Sequence, residues 1–257
     1  MIFIMDLGND SLDRCLFDTK AKAQYRTYCD KRKSEGEYQL LRKQYLAYQS
    51  VRPEEIEGAI LSSVVPSRTN RIKNAASRLL GKECLVVNRS IKIGLAIRMD
   101  NPSEVGSDLL ADCVGARKKG TDNYFIADLS SVSSFIVCTS KKEFYGGALF
   151  PGRMSSSSYR WQNSAQLCDI ELEKPKRLIG KSTKESRNSG ILFGYSRLCR
   201  ERKKKRESER GTDLIPILAG SCARLIKDRL FDFTYDPDLT FEGLAEIYKK
   251  NQKGENK

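Results

Sequence analysis

MIFIMDLGND, residues 1–10, decides how the rest of the chain reads. Four apolar residues, Ile2 to Met5, form a short buried strand that ends on a carboxylate, Asp6. Gly8, Asn9 and a second acid, Asp10, follow. YFIADLSSVSS, residues 124–134, poses the same pattern again: Asp128 closes an apolar run, and small hydroxyl residues follow it. A carboxylate at a strand end beside glycine can hold a cation while leaving backbone N–H groups free for phosphate. Each loop alone also reads as an ordinary Asp-Gly or serine-rich turn.

The flanking elements repeat in order. After the first acid, strands are expected around Leu16 and Phe17 and from Gln24 to Tyr28, and then a helix through Tyr38, Leu41, Tyr45 and Tyr48. GAILSS (58–63) is a strand, Pro66 opens a helix that stops at Gly81, and ECLVV (83–87) is a further strand. In the second half, SSFIVCT (133–139) returns as a strand, Lys141 and Lys142 mark a turn, and EFYGGALFPG (143–152) follows. LIPILAGSC (214–222) is then a strand running into Gly220 and Ser221, and CARLIKDRL (222–230) a helix. The repetition predicts an α/β chain with a mixed sheet in each half and a cleft between them, divided as 1–118 and 119–257.

Bulk composition narrows the partners. The 257 residues are 39% hydrophobic, enough for a sizeable core, and no apolar run is long enough to span a membrane. The first residues lack a basic leader before Asp6, so a cytoplasmic protein is expected. Eight scattered cysteines form no CxxC pair and read as free thiols. With no histidine in the chain, proton transfer falls to a carboxylate, Lys, Cys or Tyr. The formal charge of +13 favours anionic partners, but the basic run Arg200 to Arg210 has no interleaved aromatics. That run reads as a solvated helix end, the tail NQKGENK (251–257) as frayed, and nucleic acid is not the expected partner.

Two further stretches carry chemistry. In NPSEVGSDLLADCVGARKKG (101–120), residues Glu104 to Arg117 have helical spacing, with Asp108 near the N-terminus and Asp112 on the same face. Asp108 is a candidate general base for a hydroxyl nucleophile, and equally an acid that only steadies a first helical turn. In GKSTKES (180–186), Ser182 and Glu185 fit a capping box that leaves Thr183 at the mouth of a long helix. The segment is no Walker loop, because Pro175 stands where that motif needs glycine.

Taken in order, MIFIMDLGN, ILSSVVPS, IKIGLAIRMDNPSEVGSD, ADLSS, YGGALFPG, IELEKPKRLIGKST, SGILFGY and YDPDLTFEGLAEIY resemble the type III pantothenate kinases over nearly the whole chain. The resemblance implies a duplicated ribonuclease-H-like core of the actin-like ATPase superfamily, with two mixed sheets flanked by helices. It implies a homodimer that transfers the γ-phosphoryl group of ATP to pantothenate, an alcohol acceptor, in coenzyme A synthesis, with Mg2+ and K+ or NH4+. By motif position, Asp6, Leu7, Gly8, Asn9, Asp10, Ser11, Leu12 and Asp13 form the first phosphate loop, with Asp6 near the metal. Asp108 is the base; Met99, Gly106, Ser107, Asp108 and Leu109 lie at the pantothenate site; Thr183 reaches it across the dimer. Asp128 takes the monovalent cation and Ser131 contacts ATP.

The sequence departs from the family pattern at Asp10 for a threonine, Met99 for a tyrosine, Leu109 for an arginine, and AGS (219–221) for TGG. Two unit charges about 4 Å apart repel by about 1 kcal/mol in water and about 4 kcal/mol at an effective dielectric near 20. A magnesium ion or Arg14 is expected to offset part of that repulsion at Asp10. The departures leave one alternative, a non-catalytic dimeric binding or regulatory member of the same fold.

Overall fold

The computed structural model describes residues 1–18, 21–28, 33–152, 173 and 175–252. Cys29, Cys168, residues 253–257 of the tail and part of the 170–175 stretch lie outside them. The described residues fall into two compact units: 1–119 with 238–257, and 120–237.

In the first unit, β1 (Ile2–Leu7), β2 (Ser11–Phe17) and β3 (Ala21–Tyr28) form an antiparallel meander. β4 (Gly58–Ser63) and β5 (Cys84–Val86) add in parallel, giving the order β3-β2-β1-β4-β5. Side chains alternate between the sheet's faces, so β1 is apolar on both. Phe3, Met5 and Leu7 pack with Tyr38, Tyr45 and Leu46 of α1 (Glu35–Tyr48) and Ile72, Ala75 and Ala76 of α2 (Pro66–Leu80). Ile2 and Ile4 pack on the other face with Ala111 and Val114 of α3 (Ser107–Lys119) and Leu244 and Ile247 of α5 (Leu239–Gln252).

Local chemistry sets the helix ends. Ser34 and Glu37 make a reciprocal capping box at the start of α1. Pro66 takes the first turn of α2, and Gly81, at φ 63°, closes it. Helix α3 starts later than its spacing predicts. Pro102–Glu104 is a separate 3₁₀ turn, and Val105 and Gly106 intervene.

Two more strands precede and open the second half: the two-residue β6 (Ala96–Ile97) and β7 (Tyr124–Leu129). β8 (Val132–Thr139), β9 (Glu143–Pro151), β10 (Ile215–Ala219) and β11 (Thr234–Tyr235) complete the second unit's sheet, where the strands run β11-β10-β7-β8-β9. β7 is antiparallel to β8 and parallel to β10, the same arrangement that surrounds β1. Phe125, Ala127 and Leu129 pack with Leu192, Tyr195 and Cys199 of α4 (Thr183–Arg210). The basic run is the end of α4, where Lys203 pairs with Glu207 and Arg206 with Glu209.

Two expectations are corrected. CARLIKDRL is not an α-helix but two 3₁₀ turns, Ala223–Leu225 and Lys227–Arg229. Their i→i+3 bonds bring the buried Ala223 and Ile226 to one side, over the β7 core. The last helix, grouped by sequence with the second half, belongs by its contacts to the first unit. It packs on α3 so closely that a Cβ at Gly243 would meet the Ala111 carbonyl, and one at Gly115 the Leu239 carbonyl.

Candidate active site

The end of β1 turns into β2 through Gly8, Asn9 and Asp10. Gly8 N donates to Ser11 O at 3.0 Å and tightens the hairpin, leaving Asn9 and Asp10 exposed at its tip. Leu7 and Leu12, either side of the tip, are core residues. Asp6 is half-buried, directly opposite Asp13 on β2 and beside Ser62 on β4. Asp13 is engaged by Arg26, whose Nε donates at 2.5 Å and whose Nη2 bonds the other oxygen.

Arg14 does not serve Asp10. It stands opposite Met5, on the α1 face of the sheet, so its guanidinium points into the core. There it donates to Thr27 Oγ1 at 2.5 Å and Leu41 O at 3.4 Å, between the rings of Tyr25 and Tyr45.

The end of β4 anchors two helices at this edge. Val64 N donates to Leu7 O at 3.1 Å, and Ser63 Oγ and Thr69 Oγ1 share a 2.7 Å bond at the start of α2. In the first turn of α2, Arg68 Nη2 donates to Asn9 O at 2.9 Å. Ser107 is buried and ties α3 to β4: its hydroxyl lies 2.9 Å from Ser62 Oγ, accepts from Ser63 N at 2.9 Å and donates to Ser63 O at 3.2 Å.

Asp108 follows directly. Its Oδ1 accepts from Leu109 N at 2.9 Å. Burial raises its pKa above the ordinary carboxylate value, and bonds from the backbone N–H groups of Leu109 and Asp108 itself only partly oppose the rise. A Cβ at Gly106 would strike the Asp108 carboxylate. Leu109 is half-buried and Met99 exposed. Asp112, expected on the Asp108 face, is fully buried and accepts from Thr240 Oγ1 at 2.6 Å, joining α3 to α5.

In the second unit, Asp128 is the penultimate residue of β7 and is buried, with Ser130 Oγ donating to it at 2.6 Å. Gly220, at φ 88°, turns the chain after β10 where a Cβ would collide with Asp128. Ser131 is half-buried, and its carbonyl abuts Gly152 closely enough to exclude a Cβ there. Thr183 is exposed in the first turn of α4. The expected capping box there is half made. Ser182 accepts from Glu185 N at 3.2 Å, but the Glu185 carboxylate takes Lys181 N instead.

Asp6, Gly8 to Asp10 and Gly106 to Leu109 thus share one edge of the first unit, while Asp128, Ser131 and Thr183 belong to the second. Arg68 and the Ser62–Ser63–Ser107 bonds escape sequence reading. An arginine in the first turn of a helix looks like any solvated arginine, and paired serines look like turn residues. Among the described residues no three acids or cysteines cluster to cage a metal.

Each sheet sets a central strand between one antiparallel and one parallel neighbour, with an aspartate as its penultimate residue. A model of the family described as type III pantothenate kinase matches residues 2–205. A type III pantothenate kinase of Exiguobacterium sibiricum is 32% identical over 254 residues, covering 98% of this chain and all of that protein. The fold is shared with a Campylobacter jejuni protein described as a Baf family transcriptional activator, at TM-score 0.61 and 15% identity over 98% of this chain and 99% of that one. A 2-dehydro-3-deoxygalactonokinase-like protein of Sinorhizobium meliloti matches at TM-score 0.58 and 11% identity, covering 97% of this chain and 98% of that one. The chain belongs to the type III pantothenate kinase family. None of its described helices is long and apolar enough to cross a membrane.

Proposed function

We propose that this chain phosphorylates pantothenate from ATP, giving 4'-phosphopantothenate for coenzyme A synthesis. One observation carries the reading. Asp6 neighbours Ser62, Ser62 bonds Ser107, and Ser107 precedes Asp108, so the hairpin and the candidate base are held on one edge. Such an edge, at the carboxyl ends of parallel strands, is where open α/β sheets bind ligands.

In this reading the backbone of Gly8, Asn9 and Asp10, continued by Ser11, meets the ATP phosphates. Asp6 holds magnesium through its carboxylate, and Leu7, Leu12 and Asp13 support the hairpin from the sheet. Magnesium, when bound, neutralises phosphate charge. Asp108 accepts the proton of the pantothenate hydroxyl as its oxygen bonds the γ-phosphorus and the bond to the bridging oxygen breaks, releasing ADP; its raised pKa makes it a better acceptor than an ordinary surface carboxylate. Gly106 leaves room at that carboxylate, Ser107 fixes it, and Leu109 and Met99 offer apolar contact to pantothenate. Asp128 holds potassium or ammonium, and Ser131 contacts ATP. Thr183 reaches pantothenate bound to the partner of a homodimer.

Asp10 does not forbid this. It is exposed, so its repulsion of phosphate lies near the aqueous limit of about 1 kcal/mol rather than the 4 kcal/mol of a sheltered site. The test is ADP release that requires pantothenate, measured with magnesium and potassium present. Asp108→Asn is expected to lower kcat by roughly 10²–10⁴-fold. An unchanged rate in that variant would remove Asp108 from the role.

A further inference from the structure

The proposed phosphate hairpin is poor in positive charge. Residues 6–13 hold three acids, Asp6, Asp10 and Asp13, and no lysine or arginine. Arg26 is committed to Asp13, and Arg14 is buried against α1. No side chain within the hairpin itself therefore offsets the charge of a polyphosphate.

Arg68 stands beside the hairpin. It is 4% exposed, and its Nη2 donates to the carbonyl of Asn9 at the hairpin tip. Its Nη1 is buried without a hydrogen-bond partner. Two features fix the side chain: Pro66 starts α2, and the Ser63–Thr69 bond secures the first turn against β4. A guanidinium nitrogen left unbonded in the interior is costly, and natural proteins rarely keep one without use.

We infer that Arg68 is a positioning residue for the nucleotide phosphates, acting through the Gly8–Asp10 hairpin. By taking the Asn9 carbonyl it turns that acceptor inward, away from an arriving anion, and holds the hairpin in one conformation. Its charge, in a poorly hydrated place behind the tip, opposes that of Asp10 and the phosphates. An anion at the tip offsets the cost of the unbonded nitrogen. The inference rests on the hairpin being the phosphate loop, and deepens that reading by naming a side-chain cation that acts beside the magnesium.

The experiment compares binding of a non-hydrolysable ATP analogue with binding of adenosine, both by calorimetry with magnesium present. The variants are Arg68→Gln, which removes the charge, and Arg68→Lys, which keeps it. Arg68→Gln is expected to weaken the analogue roughly tenfold, the scale of one charged hydrogen bond, and to leave adenosine unchanged. Arg68→Lys should fall between Arg68→Gln and wild type. In turnover assays the KM for ATP should rise while the KM for pantothenate and kcat hold. Equal analogue binding in wild type and Arg68→Gln would overturn the inference, as would equal weakening of analogue and adenosine. If Arg68→Gln does not fold, the analogue-to-adenosine ratio of Arg68→Lys decides on the same terms. A wild type that binds the analogue but does not phosphorylate pantothenate would defeat the acceptor assignment and leave this inference standing. A wild type that binds no analogue would defeat both.

Discussion

The two sheets share one strand order yet treat their strand-end aspartates differently. Asp6 is half-buried below a hairpin tip exposed at Asn9 and Asp10, where the Asn9 carbonyl is held by Arg68 of α2. Asp128 is buried, bonded by Ser130, and enclosed by Gly220 from the neighbouring strand. The crossover after the fourth strand of the first unit is the fifteen-residue α2; after β10 of the second it shrinks to two 3₁₀ turns. One topology therefore yields an open loop in the first unit and a closed, close-packed corner in the second.

Glycine substitutions break this comparison most directly. Gly220→Ala adds a methyl group at positive φ, into Asp128 and the Leu129 backbone, and should cost roughly 2–4 kcal/mol in chemical denaturation. Gly8→Ala meets nothing nearer than Ser11 O at 3.7 Å and should stay within about 1 kcal/mol of wild type. Equal losses at the two glycines would erase the distinction between open and closed ends.

Acidity gives the next largest effect. Because burial raises the Asp108 pKa, the acid limb of the kcat profile should lie above the ordinary carboxylate range, falling about tenfold per pH unit below it. The limb should vanish from whatever residual rate Asp108→Asn retains. The stability sign is opposite. A group whose folded pKa is raised favours the folded state at low pH, and that contribution is lost as pH rises through the folded value. Asp108→Asn should therefore flatten a loss of stability that wild type shows over that window.

The smallest effect concerns the hairpin tip. Removing the exposed charge with Asp10→Thr should lower the KM for ATP by roughly fivefold at low salt, the equivalent of about 1 kcal/mol, and by less as salt screens the loop. A change beyond a hundredfold would mean that Asp10 is sheltered when nucleotide binds.

Much of this was legible beforehand because it is local. The apolar runs ending at Asp6 and Asp128, the Pro66-to-Gly81 helix and the Lys141–Lys142 turn are written in short-range periodicity and punctuation; Lys142 indeed sits at φ 60°. What stayed hidden is tertiary. Nothing within LTFEGLAEIY says that the helix returns to α3 rather than to the sheet before it, since that choice is made by Gly115 and Gly243 across more than a hundred residues. Arg14 and Arg68 have the same side chain. Register with Met5 sends one into the core, and one helical turn carries the other to the hairpin.

The central claim is that the Gly8–Asp10 hairpin and Asp108 serve a single phosphoryl transfer. A crystal structure of the chain with a non-hydrolysable ATP analogue, magnesium and pantothenate tests it directly. The account predicts the terminal phosphate against the hairpin backbone, with the pantothenate hydroxyl within hydrogen-bond distance of Asp108. Phosphates seated away from the hairpin, or a pantothenate hydroxyl out of reach of Asp108, would contradict it.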